Sequence, residues 1–239
     1  MKSFLLLCGR TCALMVVLLC AVSALAHESI TTEARKNYLS RLQEAQKIQA
    51  GNNSVSTRAQ ALYQIGVILD EIRELFNQDI ISHGAVKGLE SSLLLSELGR
   101  AGFQQVLSSK IGLYLADLHF YREAIRLDSK AAFADHARYQ LLKSHFYDSF
   151  TNDPLEPLSQ AREELLELLN IGEGLLKVRG ANINAEEVKF ILAIHYLQAI
   201  NQKLIGKEEG QKKFKKLLDE LRKDFPQSLK PLTLEALNQ

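Results

Sequence analysis

The chain has 239 residues, 46% of them hydrophobic and 24% charged, with 29 Lys and Arg against 28 Asp and Glu. This is an ordinary globular balance, and a formal charge of +1 at neutral pH excludes a general pull toward nucleic acid or an anionic membrane. All the cysteines, Cys8, Cys12 and Cys20, lie near the start, so the remainder has no disulfide, no thiol nucleophile and no thiolate metal site.

Residues 1–26 differ in kind from the rest. Lys2 precedes an apolar run, broken by Gly9, Arg10, Thr11 and Ser23, that ends in Ala24-Leu25-Ala26. This is a signal-peptide pattern with a small-x-small cleavage site, and cleavage is expected after Ala26. The apolar part after Thr11 is about 15 residues, shorter than the roughly 20 that span a bilayer, which favours removal over retention as an anchor. Leu18-Leu19 puts a bulky residue where bacterial lipoprotein signals have a small one, which argues against lipidation at Cys20. The exported chain is therefore expected in the periplasm or secreted, with no stable membrane span once the signal is gone. Residues 27–239 are enough for a single domain with a sizeable core.

Within it, residues 28–49 read as a helix with Ala34, Tyr38, Leu42 and Ala45 on one side, ended by Gly51-Asn52-Asn53-Ser54. Asn52-Asn53-Ser54 also fits a glycosylation acceptor, but the plain reading is a turn. A second helix covers residues 56–77, with Gly66 allowing close approach by a partner. Between residues 79 and 102, Gly84, Gly88, Gly99 and Gly102 leave room only for a short helix through Leu89, Leu93, Leu94 and Leu98. No proline occurs between residues 27 and 153, and no sustained period-two alternation is bounded by hairpin turns, so long helices are expected and strands are not.

Leu107, Ile111, Tyr114, Leu118, Tyr121 and Ile125 recur at alternating spacings of four and three, one apolar stripe on a helix ending near Asp128. Asp128-Ser129-Lys130 breaks it. Ala134, Ala137 and Leu141 follow on one face of a new helix, with Tyr139, Leu142 and Phe146 on a neighbouring face, which implies packing on both sides. Residues 151–157, with two prolines, form a loop. A helix lined by Ala161, Leu165, Leu168, Leu169 and Leu176 precedes a break at Gly180-Ala181-Asn182. Residues 184–204 are apolar nearly all round and belong in the interior, whereas residues 207–225 carry a single stripe of Phe214, Leu217, Leu218, Leu221 and Phe225. The tail after Pro231 is expected to cap the array.

Several of these phrases resemble tetratricopeptide-type repeats. Tyr139-x2-Leu142-Lys143-x2-Phe146 is similar to the first-helix element W-x2-L-G-x2-Y, with Lys143 in place of Gly; Leu62-x2-Ile65-Gly66-x2-Leu69 keeps the glycine. Tyr121 and Ser129 take the places of the later aromatic and the closing proline. Phe190, Ala193 and Leu197 take the first-helix places again, Gly210-x3-Phe214 the A-x3-F places, and Phe225-Pro226-Gln227-Ser228 the closing phrase. The clearest repeats cover residues 107–228. Tyr139 and Phe190 are 51 residues apart, against roughly 34 for a standard unit. The resemblance is to degenerate repeats of periplasmic outer-membrane-assembly lipoproteins and Tol-Pal coordinator proteins. It implies an all-α fold of antiparallel helix pairs stacked as a short right-handed solenoid, and a groove that holds a protein or peptide partner of the cell envelope. The groove positions it implies are Tyr139, Lys143, Phe146, Phe190, Ile194 and Leu197.

Chemistry-bearing clusters are few. His119 and Glu123 share a helix face at i, i+4, but a metal needs a third ligand, and His136 and His145 lie about 180° apart on one rod. His27 would become a new N-terminus able to chelate copper, read here as an accident of the cleavage site. Glu90-Ser91 resembles the Glu-Ser of lytic transglycosylases at two residues only, and a solvated glutamate is the plainer reading. Lys212, Lys213, Lys215 and Lys216 form a basic run on a helix face, pairing Lys215 with Asp219 and Lys216 with Glu220 at i, i+4, or else attracting an acidic partner. No cofactor or metal is expected, and a binding scaffold is expected rather than an enzyme. The alternative is an enzyme acting on peptidoglycan or another envelope polymer, which would need a deep pocket on Glu90 or on His119 and Glu123. A third possibility is an oligomer joined through the Phe214 to Phe225 stripe.

Overall fold

The computed structural model describes residues 30–108, 112–115, 117–148, 162–178 and 183–238. The described residues form α1 (Thr32–Ala50), α2 (Val55–His83), α3 (Leu89–Arg100), α4 (His119–Leu127), α5 (Ala134–Asp148), α6 (Arg162–Leu175), α7 (Ala185–Asn201), α8 (Lys207–Asp224) and α9 (Lys230–Leu237). Among them an isolated antiparallel bridge, Leu107 with Tyr114, is the only extended pairing, so the all-α class holds for these residues. The expected signal (1–26), the proline loop at 151–157 and the break at Gly180-Ala181-Asn182 lie outside the described residues. No helix among those described is long and apolar enough to cross a membrane. The chain divides into two compact units, one ending at Phe133 and the other beginning at Ala134.

In the first unit α1 starts where the Thr31 side chain accepts the Ala34 N–H at 3.1 Å, satisfying a backbone donor that the first turn leaves open. It ends in the expected turn: the Asn53 amide donates to the Ile48 carbonyl at 2.8 Å, and Ser54 caps α2 by accepting the Thr57 N–H. The two helices form a hairpin, tied by Arg41 and Glu71 at 2.9 Å. α2 runs past Asn77 to His83, and Gly84, with φ +79°, closes it through a left-handed cap. Asp79 is buried there and accepts from the Lys87 backbone N–H, 3.3 Å away, fixing the glycine-rich turn ahead of α3. α3 packs on α1 and α4 packs on α2, around a core of Leu42, Ile65, Ile68, Ile72, Phe76, Leu94 and Leu98. Burying each of these side chains is worth roughly 1.5 to 3 kcal/mol.

Gly66 does what the sequence suggested. A Cβ there would lie 2.9 Å from Tyr121 Cε1, so the absence of a side chain admits the α4 ring against the α2 backbone. Tyr121 is 1% exposed, and its hydroxyl donates to Asp70 at 2.7 Å, with Arg73 ion-paired to the same carboxylate. Burial, then the Asp70 charge, pushes the Tyr121 hydroxyl far up from its ordinary pKa.

The long stripe from Leu107 to Ile125 is corrected. The helix begins only at His119. Residues 106–108 instead pair antiparallel with residues 113–115: Ser108 N–H donates to Leu113 O and Leu115 N–H to Val106 O, each at 2.8 Å. Gly112 takes φ +68°, a conformation that costs glycine nothing and that a right-handed helix does not contain. The spacing still has a use: Tyr114 packs against Phe76, and its backbone is held by the Asn77 amide. The polar corner after Leu127 ends α4 as expected, and α5 begins at Ala134.

In the second unit α6 packs on α5, α7 on α6 and α8 on α7, with α9 against both α7 and α8. α7 starts from an Asn184 cap and buries Val188 and every residue from Ile191 to Ala199, as its all-round apolarity required. The α8 stripe of Phe214, Leu217, Leu218 and Leu221 is buried in the same core, covered from within the chain. Contacts match in opposite sense along the two rods: Lys189 meets Asp224 at 2.5 Å, while Ile200 lies against Gly210, where a Cβ would be 2.5 Å from Ile200 Cγ1. These helices therefore form an antiparallel hairpin. Pro231 is buried in the first turn of α9, and Leu234 is wholly buried beneath it.

Candidate functional site

A recessed surface of the second unit lies along α5 and α6, and the helix periodicity explains it. α5 turns Ala137, Leu141 and Leu142 inward, which leaves Asp135 and Arg138 at i, i+3 on an outer edge, joined by an ion pair of 2.7 Å. α6 buries Leu165, Leu168, Leu169 and Leu175, and so presents Glu167, Asn170 and Gly174 to solvent on its opposite side. Half-buried Leu166 and Ile171, with Leu175, floor the space between. The resulting groove has a volume of about 620 Å³. Ligand pockets run from roughly 300 to 1,000 Å³ and enclose most of what they bind. This one is comparable in size but open along one side, a shape suited to a chain laid into it.

Nothing lies within 4 Å of the position a Cβ on Gly174 would take. The glycine therefore borders open space at the groove edge and is not there to accommodate a neighbouring helix. Gly172, two residues earlier, does the opposite: its missing Cβ would sit 2.8 Å from Leu192 Cδ1, and it lets α6 close on α7.

None of the expected groove residues with a described side chain lines this groove. Ile194 and Leu197 are 1% and 4% exposed, inside the core. Tyr139 is also buried, its hydroxyl donating to the Glu187 carboxylate across to α7. Phe190 is half-buried with the Lys230 ammonium 5.8 Å above its ring, and Lys143 is half-buried on α5. The Phe146 side chain lies outside the described residues. The repeat-like phrase thus marks residues that join helices, while the groove is lined by their outward neighbours Asp135, Arg138, Glu167, Asn170 and Gly174. The signal for these is faint: polar residues and a glycine at helical spacing opposite an apolar stripe.

A second, shallower depression of about 400 Å³ runs along α8 between Lys212, Lys215, Lys216, Asp219, Glu220 and Lys223. No apolar side chain lines it. Lys216 reaches Glu220 at 3.8 Å as the spacing suggested, but Asp219 pairs with Arg222, and Glu220 also receives the largely buried Lys189 at 3.2 Å.

The carboxylates that catalysis would need are paired with arginines. Glu90 accepts from Arg35 Nε at 2.6 Å and from the Thr32 hydroxyl at 2.9 Å, and Arg35 also bonds Glu97. These bonds, Arg35 first, hold the Glu90 carboxyl below its ordinary pKa, the reverse of what a general acid at neutral pH requires. Glu123 is gripped by Arg126 at 2.7 and 2.9 Å, and His119 rests edge-on against Phe120. His195 lies wholly buried in α7 beside the Gln198 amide. His27 and the His145 side chain are outside the described residues. Among those described, no group of three His, Cys, Asp or Glu could hold a metal ion.

One charged cluster has a pH consequence. Glu173 on α6 accepts from Tyr196 on α7 and from Lys213 on α8, both at 2.5 Å. The Lys213 bond first, then the Tyr196 bond, keeps the Glu173 carboxyl below its ordinary value. Its folded pKa is thus below its unfolded one. The stabilisation is complete above the unfolded value, about 4.3, and is lost as pH falls through the folded one. Glu173→Gln is expected to cost about 1 kcal/mol at pH 7 and to come closer to wild type in acid. Urea unfolding at pH 7 and at about pH 3.5 checks this; an equal difference at both would contradict it.

No family model matches the chain, nor does any curated protein or solved structure.

Proposed function

We propose that the chain is an exported, tetratricopeptide-like scaffold that binds another protein or a peptide in the bacterial cell envelope. The observation that carries this reading is the groove along α5 and α6, open on one side and floored by Leu166, Ile171 and Leu175. Two features of the second unit support it. Successive helices each pack on the next, from α5 to α8, which suits antiparallel pairs stacked as a short right-handed solenoid. The carboxylates that might have served catalysis are held by basic side chains: Glu90 by Arg35 of another helix, Glu123 by Arg126 of its own.

Placement in the envelope rests on the signal-peptide pattern of residues 1–26. Expression of the full chain in a bacterial host, with a tag at the C-terminus, is expected to give a periplasmic or secreted product whose intact mass begins at His27. A product that keeps Met1 and stays in the cytoplasm would overturn the placement. Crosslinked capture from envelope extract then tests the role, with a specific protein expected to be retained. Turnover of purified peptidoglycan, with no protein retained, would favour the enzyme.

A further inference from the structure

We infer that the α5–α6 groove recognises a peptide segment that offers a bulky apolar side chain next to a lysine or arginine. This rests on the scaffold reading above and names the chemistry of its partner. The floor decides the first half. Leu166 and Ile171 are only half-buried and present apolar surface that remains partly wet over the buried Leu175, and Gly174 borders open space beside them. An apolar side chain seated over Gly174 would remove that surface from water on both partners. The rim decides the second half. Asp135 and Arg138 already pair with each other, so their charges largely cancel at the groove edge. Glu167 is exposed and contributes the remaining net charge, which is negative. A basic group on the partner is therefore attracted there and an acidic one repelled. Asn170 lies between Glu167 and Gly174 along α6, and its exposed amide offers both a donor and an acceptor, the pair an extended peptide backbone can satisfy.

The lysine face of α8 is lined by no apolar side chain, and both of its acids are already paired with basic side chains. It offers a diffuse charge and no seat.

The test pans random peptides displayed on phage against the full chain and measures the selected sequences as labelled synthetic peptides by fluorescence anisotropy. Gly174→Trp fills the groove where the structure has room for a side chain, so the fold is expected to persist, as helical circular dichroism would verify. Peptides pairing a large apolar residue with Lys or Arg are expected to be selected. Gly174→Trp is expected to weaken them about tenfold or more, and Glu167→Lys about as much, with a smaller effect of salt on what binding remains. Selected peptides that bind both variants as tightly as wild type would place binding elsewhere, overturning this site while leaving the scaffold reading intact. Selection of acidic peptides would overturn the rim assignment. If no selected peptide binds wild type at all, site and scaffold reading fall together.

Discussion

Tyr121→Ala is expected to lower the unfolding free energy by about 3 to 5 kcal/mol, as truncation of a wholly buried aromatic does. It removes the ring that lies against Gly66 and leaves Asp70 without the hydroxyl that bonds it at 2.7 Å. Tyr121→Phe keeps the ring and loses only that bond, about 1 to 2 kcal/mol. The sharper test couples the two helices. Gly66→Ala in the wild-type chain sets a methyl 2.9 Å from a ring that its own hydroxyl bond pins in place, so overpacking of about 1 to 3 kcal/mol is expected. In a Tyr121→Ala background the clash is gone, and alanine's better helix propensity, up to about 1 kcal/mol, makes the same change neutral or stabilising. Denaturant unfolding of the four chains checks the cycle. A Gly66→Ala cost that is the same in both backgrounds would show that the ring is not what the glycine admits.

The second large effect falls on residues that the repeat resemblance placed in a groove. Ile194→Ala and Leu197→Ala are each expected to cost about 2 to 5 kcal/mol, because both side chains sit inside the core around α7. Lys143→Ala, on a half-exposed position, is expected to stay within about 0.5 kcal/mol. Loss of partner binding in the first two would then follow from loss of the fold. Urea midpoints measured beside binding separate the effects: full wild-type stability with lost binding at Ile194 would return that residue to a contact surface.

Residue patterns make some parts of this chain readable and leave others opaque for physical reasons. α7 is legible because a helix apolar on every side has no stable place except an interior. α8 is legible because Phe214, Leu217 and Leu221 define one face and lysines the other. Gly66 stands out inside an apolar helical run, where a glycine needs a packing reason, and Tyr121 supplies it. The stretch before His119 misleads because Leu107, Tyr114 and Leu118 keep helical spacing while Gly112 adopts a backbone angle that a helix cannot continue. Spacing alone does not reveal the sign of φ. The groove is opaque for another reason. Its rim consists of Glu167, Asn170 and Gly174, ordinary solvent-facing types whose spacing does not distinguish them from any outer helix face. Tyr139 and Leu197 attract attention in the sequence because they are large, and size is what commits them to the core.

The most direct measurement places a photoreactive amino acid at position 174 of the exported chain in living cells, with position 219 on α8 as the comparison, followed by illumination and identification of adducts. The expected result is a discrete crosslink to an envelope protein from position 174, absent from position 219 and lost when Glu167 is changed to lysine. Adducts from position 219 but none from 174, or a yield from 174 indifferent to Glu167, would contradict a peptide-binding groove on this face.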